Sequence, residues 1–172
     1  MNRLKFALPL VIAVLLIACG ANKEKNQAHD KILSLETELL ADSLAPIERL
    51  KAQELIQAYE NYVETYPEDS LSPEYLYKSS EIAMNLQMSG RAIEGFKKIL
   101  VDYPDFDKAD VCIFLQAFIY ENHMQQYDTA KELYQEFLEK YPSHDLAEDA
   151  LVSIQNMGKS LEELIKSWEG SE

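Results

Sequence analysis

The chain has 172 residues, of which 16 are basic and 30 acidic, for a formal charge of −14. So acidic a surface repels phosphate backbones and anionic headgroups, which excludes nucleic acid as a partner. Five glycines and six prolines are too few for a loop-rich fold, and the length suits one domain with its own core.

The N-terminus, MNRLKFALPLVIAVLLIACG, places Arg3 and Lys5 before an apolar run from Phe6 to Ala18. That run is too short and wrongly flanked for a spanning helix and reads as a secretory signal. Leu16-Ile17-Ala18-Cys19 resembles the bacterial lipobox. The resemblance implies cleavage after residue 18, acylation of Cys19 and attachment to a membrane of the cell envelope. Gly20 stands where the best-known inner-membrane retention signal has aspartate, which favours the outer membrane and leaves the leaflet open. Residues 19–29 are polar, mixed in charge and aperiodic, so they are expected to form a flexible linker behind the lipid. The helical domain is then 30–172. Removal of residues 1–18 leaves 14 basic against 30 acidic residues, a charge of −16. With Cys19 acylated, Cys112 is alone and no internal disulfide forms; its apolar surroundings, DVCIFLQAF, suit a small buried or groove-lining hydrophobe.

Eight helices are expected in chain order. Ile32, Leu35 and Leu39 stripe the first, a stripe that could also mediate oligomerisation. Pro46 opens the second, with Ile47, Leu50, Leu55, Tyr59, Tyr62, Val63 and Tyr66 on its apolar face. Ser72 caps the third and Pro73 is its first helical residue. A break at Met88-Ser89-Gly90 precedes the fourth, RAIEGFKKILVDY. KADVCIFLQAFIYENH is the fifth, Asp128 caps the sixth, TAKELYQEFLEKY, and DLAEDALVSIQN is the seventh. Ser160 and Glu163 form a capping box at the start of the eighth. No stretch alternates with period two, so the fold class is all-α.

Tyr-Pro occurs at residues 66–67, 103–104 and 141–142, spaced 37 and 38 apart. Eight residues before each proline stands an aromatic ring, Tyr59, Phe96 or Tyr134; four before it stands Val63, Leu100 or Leu138. These steps follow one helix face, and proline, lacking an amide hydrogen and clashing with the preceding turn, ends each helix. With Ala92 and Ala130 twelve residues before proline, and Gln126-Tyr127-Asp128-Thr129-Ala130 close to the family's Gly-x-Tyr-x-x-Ala pattern, residues 46–168 resemble tetratricopeptide repeats. The longer period, and YP followed by LAEDAL, are similar to the repeat lipoproteins of Gram-negative envelopes, including those of the β-barrel assembly machinery and the Tol-Pal coordinator. The chain departs from the family at Ser89-Gly90, Ser80, Phe118 and Leu55. The resemblance implies an α-α superhelix of three to four helix pairs, a solenoid whose concave groove takes a protein partner.

Counting back from Ala92 and Ala130 gives the groove positions Glu74, Tyr77, Glu81 and Met84, then Cys112, Leu115, Ile119 and Asn122. The first set suits a partner segment that is apolar with some positive charge, and the second is mostly apolar. Tyr75, Tyr77 and Tyr120 would instead serve as stacking surfaces for a small molecule or glycan. No chemistry of a catalyst is legible. His29, His123 and His144 are scattered, no metal-ligand spacing occurs and no cofactor motif is complete. Gly158-Lys159-Ser160 lacks the earlier glycine and preceding strand of a phosphate loop, and adjacent Glu162 and Glu163 point apart on a helix. A non-enzymatic, lipid-anchored adaptor is therefore expected.

Overall fold

The computed structural model describes residues 22–39, 48–160, 162, 163, 165 and 166. The leader, Cys19, Pro46, Ile47 and the last residues lie outside them. All regular structure among the described residues is helical, as expected: α1 (residues 22–39), α2 (Arg49–Thr65), α3 (Ser72–Asn85), α4 (Ser89–Asp102), α5 (Ala109–Asn122), α6 (Tyr127–Lys140) and α7 (Ala147–Asn156). Ser160 opens a further helical turn. Its hydroxyl and amide both donate to the Glu163 carboxylate, while the Glu163 amide donates back to Ser160 Oγ, which is the expected capping box.

The three Tyr-Pro pairs produce the same corner. Tyr66, Tyr103 and Tyr141 each cap a helix, with φ of −129°, −133° and −132° and ψ of 56°, 55° and 57°. The preceding-proline restriction removes the α region from each, so the helix stops there. Each tyrosine carbonyl then accepts from the amide three residues on, Asp69, Phe106 or His144. The carbonyls of Asp69, Phe106 and His144 in turn accept from the amides of Ser72, Ala109 and Ala147. The loops are thus the same length, and the difference between the 37- and 38-residue spacings lies elsewhere. Residues 86–88 join α3 to α4, whereas residues 123–126 join α5 to α6.

The shorter turn is a Schellman motif. Met88 N–H donates to the Ala83 carbonyl and Gln87 N–H to that of Met84, and Gln87 takes φ +58°. In the longer turn the amide of Gln126 reaches back to Tyr120, and Gln125 takes φ +54°. Gly158 holds the corresponding position after α7 with φ +73°. A left-handed conformation costs an L-residue about 1–2 kcal/mol that glycine avoids. Gln87 and Gln125 are exposed, so little packing is lost on truncation. Gln87→Gly and Gln125→Gly are each expected to raise stability by about 0.5–1 kcal/mol, less than the full strain because glycine gains entropy in the unfolded chain. Thermal unfolding followed by circular dichroism checks this, and a lowered midpoint in both variants would contradict it.

The chain divides into two compact units, Met1–Tyr75 and Leu76–Glu172. In the first, residues 22–29, expected as flexible linker, are helical and continuous with the rest of α1. One stripe of α1, four, three and four residues apart, docks on α2 and the start of α3. Lys25 Nζ pairs with Asp69 Oδ2 at 2.7 Å, the Tyr75 hydroxyl meets His29 Nδ1 at 2.5 Å, Ile32 is fully buried, and the Tyr59 hydroxyl donates to Glu36 at 2.5 Å. Ile32 and Leu35 are consumed by this core, so the oligomerisation stripe is not on offer. Beneath α1, Tyr75 lies 5.1 Å from Tyr59 and 4.9 Å, edge-on, from Tyr62. Burial pushes all three phenols up, Tyr75 to about 12. Leu50, expected on the apolar face of α2, is 82 % exposed, because Ala52, Leu55, Ile56 and Tyr59 already fill that face.

In the second unit each helix packs on the next, α4 on α5, α5 on α6 and α6 on α7, the neighbour-to-neighbour packing of a tetratricopeptide-like array. Ala92, Ala117 and Ala130 are fully buried, consistent with close approach of helices. Two caps differ from expectation. Ser72 is already helical and its hydroxyl donates to the Tyr66 carbonyl, bracing the corner instead of capping α3. Asp128 falls within the first turn of α6, after an uncapped Gln126; there its charge favours the positive end of the helix dipole.

Candidate functional site

The α5 sequence is apolar almost all round, and burial sorts its faces. Cys112, Ile113, Gln116, Ala117 and Ile119 are enclosed. Ile113 joins Phe114 against Tyr134 and Phe137 of α6, with the Phe114 ring 5.3 and 5.6 Å from theirs. The stripe left open is Val111, Leu115, Phe118 and Asn122, separated by four, three and four residues. Val111 and Leu115 are half-buried, while Phe118 is 37 % exposed with its ring edge-on to His123. Asn122 is exposed and its amide donates to the Phe118 carbonyl. Apolar side chains half-open to solvent along one helix edge, ending in an amide, suit a partner side chain better than bulk water.

This stripe corrects the register read from the sequence. Leu115 and Asn122 lie on it. Ile119 is fully enclosed, and so is Cys112, so neither faces a partner. Burial pushes the Cys112 thiol up to about 12, aided by the negative charges of Asp110 and Glu81 and opposed by Lys108, and it donates to the Lys108 carbonyl; it is a core hydrophobe. The extra residue in the α5–α6 turn moves the count back from Ala130 by one, to Val111, Phe114, Phe118 and Glu121, so the fixed spacing meets the open stripe at only two positions in either register. The Gln126 amide closes that longer turn by donating to the Tyr120 carbonyl, which no local motif announces.

On α3, Glu74, Glu81 and Met84 are half-buried. Tyr77 is only 7 % exposed: its ring sits 5.9 Å from Phe96 and 6.0 Å from Phe106, with the Lys108 ammonium 4.8 Å above it. It belongs to the α3–α4 core, held by a cation–π contact, and is removed from the candidate binding residues. Tyr75 is likewise buried, so the stacking platform of Tyr75, Tyr77 and Tyr120 does not exist as a surface.

His144 completes the third corner. Its Nδ1 accepts from the Leu146 amide, its ring stands edge-on to Phe137, and Nε2 lies 3.5 Å from Asp110 Oδ2. That arrangement closes a loop onto α5. Among the described residues there is no cluster of three or more histidine, cysteine or carboxylate side chains that could hold a metal ion, and no helix long and apolar enough to cross a membrane.

The family model of the tetratricopeptide repeat matches residues 112–144. The matched segment runs from Cys112 in α5 through α6 and the third Tyr-Pro corner, so it contains three of the four residues of the open stripe. No curated protein matches the chain.

Proposed function

We propose that the protein is a non-enzymatic adaptor, lipid-anchored through Cys19 in the bacterial cell envelope, that holds a protein partner against the α5 face formed by Val111, Leu115, Phe118 and Asn122. The observation that carries this is an apolar stripe left open on the helix of the repeat whose family serves protein interaction. Acidic side chains, Asp110 and Glu121, share the helix, so an aliphatic or aromatic segment bearing a lysine or arginine fits best. The envelope setting, with the outer membrane favoured and a part in envelope assembly, rests on the lipobox. A small-molecule reading loses its support with the burial of Tyr75 and Tyr77.

A photo-crosslinking side chain at Leu115 or Phe118, in protein solubilised from membranes, is expected to capture one specific partner. Capture from Leu115 should fall about tenfold or more in a Phe118→Glu background, since a buried unpaired charge at an interface costs upwards of about 2 kcal/mol. The exposed Val101 serves as the negative position. No specific adduct at either site, or the same adducts at Val101, would remove the face from consideration. For the anchor, Cys19→Ser is expected to move the protein from the membrane to the soluble fraction.

A further inference from the structure

The docking of α1 changes what a lipid on Cys19 does to the rest of the protein. Only residues 20 and 21 separate Cys19 from described helix, and the three peptide units from Cys19 to Asn22 span at most about 11 Å however they run. Lys25 lies about one helical turn further on and grips Asp69 at 2.7 Å. The clamp therefore fastens the α2–α3 corner, residues 66–71, within about 25 Å of Cys19. That corner presents exposed Pro67, Leu71 at 37 % exposure, and Tyr66, half-buried against Tyr62 at 5.1 Å. A tyrosine with apolar neighbours is the side-chain set that settles at the headgroup level of a bilayer.

Charge favours the same placement. Lys23, Lys25 and Lys31 against Glu24 and Asp30 leave residues 19–31 at +1, whereas residues 32–172 hold 28 acidic against 11 basic side chains. Within the corner, Lys25 pairs with Asp69 and its hydrogen bond holds that carboxyl below the usual range; with exposed Glu68 counted, the corner and residues 19–31 together stand at −1, against −15 for the rest of residues 32–172. The end nearest the anchor is the one a headgroup surface repels least.

Resting on the lipid-anchor reading, we propose that the corner at residues 66–71 is a second membrane contact: Tyr66, Pro67 and Leu71 lie in the headgroup region of the bilayer that holds Cys19. In this reading α1 is a rigid stay, and the first unit meets the bilayer in one orientation.

The test uses the acylated protein, purified from membranes and reconstituted in phosphatidylcholine vesicles, with nitroxide labels on Glu68→Cys, Leu71→Cys and Leu50→Cys. Cys112 is buried and takes no label. Leu50 lies in the first turn of the 17-residue α2 whose far end leads into the corner, about 24 Å away along the helix. The ratio of oxygen to aqueous nickel-chelate accessibility is expected to be severalfold higher at positions 68 and 71 than at 50. Equal ratios at all three positions in vesicle-bound protein would overturn the membrane contact and leave the anchor standing. If Cys19→Ser protein stays with the membrane fraction, the anchor reading itself fails, and the proposal with it.

Discussion

Replacing Phe137 by alanine is expected to cost about 3–5 kcal/mol of folding stability. The side chain is fully buried in α6 and its ring lies 5.6 Å from Phe114 of α5, 5.7 Å from Tyr141 and 5.2 Å from His144 of the following corner. Around it stand Ile113, Ala117, Tyr134 and Ala150, so one ring touches the core shared by α5, α6 and α7. Truncation removes the transfer free energy of a phenyl group and leaves a void that three helices would have to collapse together to fill. A domain of this size is stable by about 5–15 kcal/mol, so the loss is a large share of the total. Urea unfolding measures it. Val101→Ala, at a position 76 % exposed, should stay within about 0.5 kcal/mol of the parent. A Phe137 loss under about 1.5 kcal/mol would mean that the three helices do not share one core.

Gly95→Leu is the second large effect, at about 2–4 kcal/mol. A Cβ placed on Gly95 of α4 would lie 2.1 Å from Ser80 Oγ, 3.3 Å from Ser80 Cβ and 3.7 Å from Leu76 Cδ1. Ser80 is buried, and its hydroxyl donates to the Leu76 carbonyl at 2.7 Å. Any added side chain must therefore push α3 from α4 or turn the hydroxyl away from its acceptor. Overpacking costs about 1–3 kcal/mol and a stranded buried hydroxyl about as much again, while leaving glycine returns about 1 kcal/mol of helix propensity. The cause is separable by a double-mutant cycle. Gly95→Ala should destabilise in the parent and become neutral or stabilising beside Ser80→Ala, because the clashing oxygen is gone. A coupling below about 0.5 kcal/mol would refute the steric account.

What the sequence makes legible follows the range of the interaction concerned. The Tyr-Pro stops at 66, 103 and 141 are covalent constraints on the neighbouring backbone, so motif and outcome coincide, and the 3.6-residue periodicity of α2, α4 and α6 is equally local. The linker expectation failed at residues 22–29 because that stretch is polar: its partners, Asp69 and Tyr75, lie more than forty residues away, and polar docking leaves no hydrophobic trace. Leu50 fits the helical period of α2 but lies beyond its packed surface. The open stripe of α5 was half legible. Leu115 and Asn122 come from counting back along the repeat; the added turn residue moves the count onto Val111 and Phe118 but off Leu115 and Asn122, so only the folded helix shows all four on one edge. Tyr77 was misassigned because an aromatic at that spacing suits a groove or a core alike, and only Phe96, Phe106 and Lys108 decide between them.

The three Tyr-Pro corners agree in backbone angles to within a few degrees. A splice made at these corners therefore meets a junction of the same shape on either side. Duplication or excision of the stretch between two of them changes the number of units without asking the flanking chain for a new bend. Length is the property that such a chain can alter in whole steps while every corner keeps its form.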